Sequence, residues 1–334
     1  MSTPLTLSQI ALATSDRARS AAFYRDVFHL NYIFETSEFR GPSADKMQSM
    51  DRVASSTCWL MDDRDGFQLE LFEFEYPLSR PLPEDHGIVD EGYNRLLIIV
   101  QSLQEVVSVA VGQGAHLLSQ LERQSGLAEQ HAILTDPDGI VLELIEAPAL
   151  LPDQCRARII GLGLTTLDLT TAVQDFCHGF GFQTCEDRFE HGVIWNSAGT
   201  LMGLQTLRLG DMYLVVSQYE DGRPRRSDHC LADIGVMNFA VSFSSAEIFD
   251  AYFASTLRLG MRPNTQPMRV EGKASVVYHN TLQHYSVEML YMDSSLAGLY
   301  GFRYPSLKDR LVSKLVNWRS RWVYRRHLAH SKNH

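Results

Sequence analysis

Polar side chains set among apolar ones at a spacing of two are the first chemically suggestive feature of this chain. Alternation along extended segments puts Gln9, Ala11 and Ala13 on one face, Gln68, Glu70, Phe72 and Phe74 on a second, and Val141, Glu143 and Ile145 on a third. Amide and carboxylate groups between apolar walls suit a small organic ligand. The same spacing also fits Glu70 and Glu143 on the solvent side of edge strands, and the pattern leaves both readings open.

Other chemistries find less support. No GxSxG, HExxH, P-loop or GxGxxG arrangement opens a helix after a strand, so the signatures of hydrolases, zincins and nucleotide folds are missing. Cys58, Cys155, Cys177, Cys185 and Cys230 form an odd set without a CxxC pair, which argues against a disulfide framework and a zinc-thiolate site. A cytoplasmic location is the expectation, since the first residues also lack a basic region followed by an apolar core. His29, His86, His178, His191, His229 and His279 stand at no ligand spacing, and most read as surface or capping residues. Cys177 and His178, adjacent on a helix, do not face each other.

The elements that must position the polar residues form a repeat. Residues 9–16, 95–102, 161–168 and 238–245 are each a strand-like run ending in Asp or Ser, a good helix N-cap, followed by a stretch of helical periodicity. The first and third units are the more alike, with Asp16, Tyr24, Phe28 and Leu30 matching Asp168, Phe176, Phe180 and Phe182 at equal offsets. After each helix the chain turns to short strands, with hairpin turns at residues 62–66, 136–139 and 209–211. Each unit is thus a strand, a helix and about three antiparallel strands. Pro148 and Pro152 bracket a linker between two halves.

Composition agrees. The chain has 334 residues, 45% of them hydrophobic and 21% charged, which fits about two folded domains and excludes disorder. No apolar stretch approaches the roughly 18 residues of a membrane span. The net charge of -10 is a sum of unlike parts: residues 303–334 carry nine Lys/Arg and one Asp, hence +8, and the rest carries -18. A body of that sign disfavours nucleic acid as a partner.

The repeated order resembles the vicinal oxygen chelate superfamily, which includes glyoxalase I, bleomycin-resistance proteins, methylmalonyl-CoA epimerase and extradiol dioxygenases. The resemblance covers residues 5–292 and rests on Asp136-Pro137-Asp138-Gly139 followed by Leu142-Glu143-Leu144, with the helix FYRDVFHL in support. It implies an α+β fold of two tandem domains, residues 1–150 and 151–300, each built from two βαβββ modules forming a cupped mixed sheet. It further implies a divalent metal (Fe, Mn, Zn, Ni or Mg) at the first and last strands of the modules. Those positions fall on Gln9, Glu70, Arg95 and Glu143 in the first half, with Glu70 and Glu143 as the catalytic carboxylates and Arg95, Gln68 and Phe72 as substrate contacts.

Arg95 departs from the family pattern. A guanidinium opposes a cation, and its fixed fork of donors suits a carboxylate or phosphate. Either it replaces the metal by pairing with Glu70 and Glu143, or it swings out, water or substrate completes the shell, and it fixes an anionic substrate. In the second half the equivalent positions are Gly161, Val215, Asn238 and Glu288, which leaves Asn238, His284 and Glu288 as a weaker set and disfavours extradiol cleavage. Residues 301–334 read as a basic amphipathic helix with Leu307, Leu311, Leu315, Trp318 and Trp322 on one stripe, suited to packing on the body, a membrane surface or a protein partner. The leading expectation is a metal-assisted isomerase, epimerase, lyase or oxygenase acting on a small molecule. The alternative is a metal-free sequestering protein of the bleomycin-resistance kind.

Overall fold

The computed structural model describes residues 6–121, 129–195 and 199–315. Four modules follow one another. The first holds β1 (Thr6–Ala13), α1 (Arg17–Phe28), β2 (Asn31–Arg40), α2 (Pro42–Gln48), β3 (Ala54–Met61) and β4 (Gln68–Tyr76). The second holds β5 (Gly92–Val100), α3 (Leu103–Gly112), β6 (His116–Leu121), β7 (Gln130–Thr135) and β8 (Val141–Glu146). In the third, β9 (Ala157–Thr165) leads to α4 (Leu169–Gln174), a π-helical turn (Asp175–Gly179), β10 (Gln183–Cys185), α5 (His191–Trp195), β11 (Leu201–Leu209) and β12 (Met212–Tyr219). The fourth has β13 (Gly235–Phe243), α6 (Ala246–Arg258), β14 (Arg262–Pro263), β15 (Met268–Val270), β16 (Ala274–Asn280) and β17 (Ser286–Met292).

Each module helix starts where its cap residue dictates. Asp16, Ser102, Asp168 and Ser245 are extended, and their side chains accept the backbone N–H of Arg19, Glu105, Thr171 and Ile248. A side-chain oxygen there satisfies one of the donors that a helix start leaves unpaired.

The strands form two mixed sheets. One runs β14-β16-β17-β13-β1-β4-β3-β2 with β15 on β16, the other β10-β11-β12-β9-β5-β8-β7-β6. The first and fourth modules therefore share one sheet, joined by antiparallel β1 and β13, and the second and third share the other, joined by antiparallel β5 and β9. This differs from the consecutive pairing expected from the sequence. The physical reason lies in the connectors: residues 147–156 are short and let β9 turn back along β5, whereas residues 77–91 and 220–234 are longer and run beside each other. Glu91 N–H donates to Arg223 O, Arg223 N–H to Val89 O and Ile234 N–H to Arg80 O. Arg80 with Asp233 and Arg223 with Asp90 tie the two connectors through side chains.

Alternation decides what each sheet face sees. Leu7, Ile10, Leu12, Leu69, Leu71, Leu96, Ile98 and their counterparts turn to the helices and form one continuous core with Phe23, Phe28, Phe176 and Phe249. The opposite, concave faces carry smaller apolar clusters and the polar residues of interest. Beyond β17, α7 (Ser294–Ala297) is followed by a helix over residues 307–315 whose Leu307, Leu311 and Leu315 are exposed, so this part of the stripe does not pack on the body as expected. Trp318 and Trp322 lie outside the described residues. Among the described residues no helix is long and apolar enough to cross a membrane.

Candidate functional site

The four positions expected to converge are divided between the two concave faces. Gln9 on β1 and Glu70 on β4 meet Glu288 on β17 in the first sheet; Arg95 on β5 and Glu143 on β8 lie in the second. Arg95 pairs with Glu143 at 3.4 Å and does not bridge to Glu70, because the sheet containing Glu70 is completed by the fourth module.

In the first cup Gln9 is the hub. Its amide nitrogen lies 2.7 Å from a Glu70 oxygen and 3.1 Å from a Glu288 oxygen. Trp59 Nε1 donates to the other Glu70 oxygen at 2.8 Å. Asn238, the β13 counterpart of Gln9, is fully buried beside Tyr278, and neither end of its amide has a hydrogen bond of ordinary geometry among the described residues. Burial, reinforced by the charge of Glu288, holds the Glu70 carboxyl well above the usual range, and burial pushes Glu288 up to about 7.

The neighbouring Gln68 bears on the orientation of that hub. With Gln68 Nε2 donating to Gln9 Oε1 at 2.7 Å, Gln68 Oε1 faces the carbonyl oxygens of Tyr300 and Gly301 at 2.8 and 3.1 Å, an arrangement with no donor. Turning the Gln68 amide satisfies both carbonyls and sets its oxygen against Gln9. Gln9 must then turn as well, which brings Gln9 Oε1 to 2.7 Å from Glu70 and 3.1 Å from Glu288. Three oxygens so close require a proton or a cation among them. Neighbouring oxygens around an octahedral ion with bonds of about 2.1 Å are roughly 3.0 Å apart, so the spacing of the Gln9, Glu70 and Glu288 oxygens suits a hard divalent metal, with the unpaired Asn238 amide on the adjoining strand. Among the described residues no group of three His, Cys, Asp or Glu is placed to hold one; this donor set qualifies only through its amides.

Phe72 stacks on Phe74 and packs with Ala11, Ala13 and Ala44 of α2, so it walls the first cup. His284 does not join Glu288. The strand starts only at Ser286, and His284 sits at φ 63° in the turn before it, which cancels the shared-face spacing expected of the pair.

The second cup is plugged. Glu143 accepts hydrogen bonds from Trp195 Nε1 at 2.6 Å and pairs with His191 Nδ1 at 2.8 Å, both on α5, and His131 Nδ1 lies 3.5 Å away. The Arg95 guanidinium is 5.0 Å from the Trp195 ring and Nη1 donates to Asn94 Oδ1. Gly163, opposite Arg95, leaves the space the guanidinium fills, since a Cβ there would overlap it. Burial opposes the Glu143 charge, yet His191, His131 and Arg95 together hold its pKa well below the usual value.

His191 and His279 are buried, contrary to the surface reading; His279 shares a 2.9 Å hydrogen bond with Thr256. Sequence reasoning missed Trp59, His131, His191, Trp195 and Tyr278. Only Trp59 and Tyr278 carried a signal, each lying directly opposite a cup carboxylate, Glu70 or Glu288, on the neighbouring strand.

Two cupped mixed sheets assembled from βαβββ modules, with polar residues at the first and last strands, define the vicinal oxygen chelate architecture. Residues 6–144 match the family model of the Glyoxalase/Bleomycin resistance protein/Dioxygenase superfamily. Glyoxalase I from Zea mays is similar in fold, with 15% identity over 86% of this chain and 92% of that one at a TM-score of 0.59. A candidate dioxygenase of Bacillus subtilis subsp. subtilis str. 168 is similar at 13% identity, 90% and 88% coverage and a TM-score of 0.62. No curated protein matches by sequence.

Proposed function

We propose that this chain is an enzyme acting on a small organic molecule with a divalent metal held by Gln9, Glu70, Asn238 and Glu288 in the first cup. The observation that carries the reading is the approach of three side-chain oxygens once the Gln68 and Gln9 amides are turned to satisfy Tyr300 and Gly301. A metal bound there polarises a carbonyl or enediolate oxygen of the substrate. Trp59 fixes Glu70 as a holding carboxylate. Among the described residues Glu288 meets only Gln9, whereas Glu70 is also held by Trp59, so Glu288 is the carboxylate placed to leave the metal and act as general base. Proton removal beside a carbonyl and its return, as in an isomerase or epimerase, uses these groups most directly. Lyase and oxygenase chemistry draw on the same metal with less demand on Glu288. In this reading Arg95 and Glu143, expected as substrate clamp and ligand, hold the second cup shut.

A metal-free binding protein is the competing reading, favoured by the raised pKa of both carboxyls, since a protonated Glu70 can donate to Gln9 Oε1. Calorimetric titration with Mn2+ separates them. One ion bound per chain, weakened at least tenfold by Glu70→Gln and by Glu288→Gln and unchanged by Glu143→Gln, is expected. Absence of Mn2+ binding, or binding indifferent to Glu70 and Glu288, refutes the metal site.

A further inference from the structure

Between the paired connectors and the starts of β5, β13 and β17 lies a cleft of about 510 Å3, within the size range of small-molecule sites. Its lining includes Ser286, which is two residues before Glu288 on the same face of β17, about 7 Å along the strand. That spacing is what relates the cleft to the carboxylate cluster. Its walls are apolar at Leu82, Met50, Val236 and Met237.

The charges of the cleft are already committed. Arg80 is bidentate to Asp233 at 2.5 and 2.7 Å and reaches Asp228. Arg223 holds Asp90 and Asp85, and Arg226 holds Asp228. Arg225 lies over the Tyr285 ring, donates to Gln283 O at 2.9 Å and has Glu91 at 3.8 Å. Apart from the exposed ring of His284, what is uncommitted is neutral. Gln48, at the end of α2 and only 1% exposed, has no partner for its amide nitrogen or its amide oxygen, and the buried Ser286 hydroxyl also lacks one. A buried amide with both ends unpaired is costly unless something supplies a donor and an acceptor side by side.

We propose that this cleft takes an uncharged substrate with an apolar body and an amide-like edge, read by Gln48 with Ser286 as a further contact. The inference rests on the first cup as the reacting centre and replaces the anionic substrate expected from Arg95, whose guanidinium is fully buried in the other cup.

The test uses the full chain and three probes of equal shape: benzamide, benzoate and acetophenone, titrated by ligand-observed NMR. Benzamide is expected to bind about tenfold more tightly than benzoate, with acetophenone between them, and to lose roughly tenfold in Gln48→Leu and roughly threefold in Ser286→Ala. Benzoate binding as tightly as benzamide, failure of benzamide to bind, or benzamide binding that survives both substitutions overturns the proposal. Should Gln48→Leu fail to fold, the wild-type preference and Ser286→Ala still decide. Parallel Mn2+ titration keeps the two readings apart: metal without benzamide removes the cleft, and benzamide without metal removes the metal site.

Discussion

Replacing Glu143 by glutamine removes the carboxylate paired with Arg95 in the second cup. Arg95 and Glu143 are both fully buried, and Arg95 Nε and Nη2 already lack hydrogen bonds of good geometry among the described residues. The substitution keeps size and shape while taking the paired carboxylate from a buried guanidinium and weakening the charge-assisted bonds to His191 and Trp195 that seat α5. Breaking a buried pair in this way costs roughly 3–5 kcal/mol. In a chain of this size, with an unfolding entropy of about 0.7 kcal/mol/K, that lowers the thermal midpoint by roughly 4–7 °C. Calorimetry or circular dichroism at neutral pH measures it. The double replacement Arg95→Met, Glu143→Leu should recover most of the loss, because a well-packed apolar pair avoids the desolvation of both ions. A single Glu143→Gln variant that loses less than about 1 kcal/mol, or a double variant no more stable than the single one, would refute the view of this cup as an ion-locked plug.

The remaining expectations can be checked with the same instruments. The Glu143 pKa is depressed in the fold, so its contribution is present above the unfolded value of about 4.3 and fades as pH falls through the folded value; the gap between wild type and Glu143→Gln should narrow only in acid. Gly163→Ala should destabilise by about 1–3 kcal/mol through overlap with the guanidinium, and Arg95→Met should relieve it, as equilibrium denaturation would show. Asp16→Ala should cost about 1 kcal/mol from the lost cap of α1, and an unchanged urea midpoint would count against that assignment.

Much of the fold was legible because its determinants are local. Asp16, Ser102, Asp168 and Ser245 all cap the helices assigned to them, and alternation sent Gln9, Glu70 and Glu143 to concave faces as the spacing required. Choice of partner between modules is a long-range matter, and one βαβββ unit offers the edge of its first strand equally well to any other. Gln9, Glu70, Asn238 and Glu288 were therefore all singled out, yet in two separate sets. His191 and Trp195 escaped because α5, which stands between β10 and β11 as α2 stands between β2 and β3, is only five residues long, too short for a helical period to show in the sequence.

The nesting of the modules, first with fourth around second with third, makes the two halves of the chain inseparable. Residues 6–146 alone would present β1 and β5 as open edges, each with a row of unpaired backbone donors and acceptors. The complementary half would present β13 and β9 in the same condition. A cut within residues 147–156 should accordingly yield two pieces that reassemble on mixing, or that each pair with a second copy of themselves. Neither piece would own a finished cup, since Gln9 and Glu70 belong to one and Glu288 to the other. The chain behaves as a dimer of halves stitched into one polypeptide, and its candidate reaction centre is a seam between them.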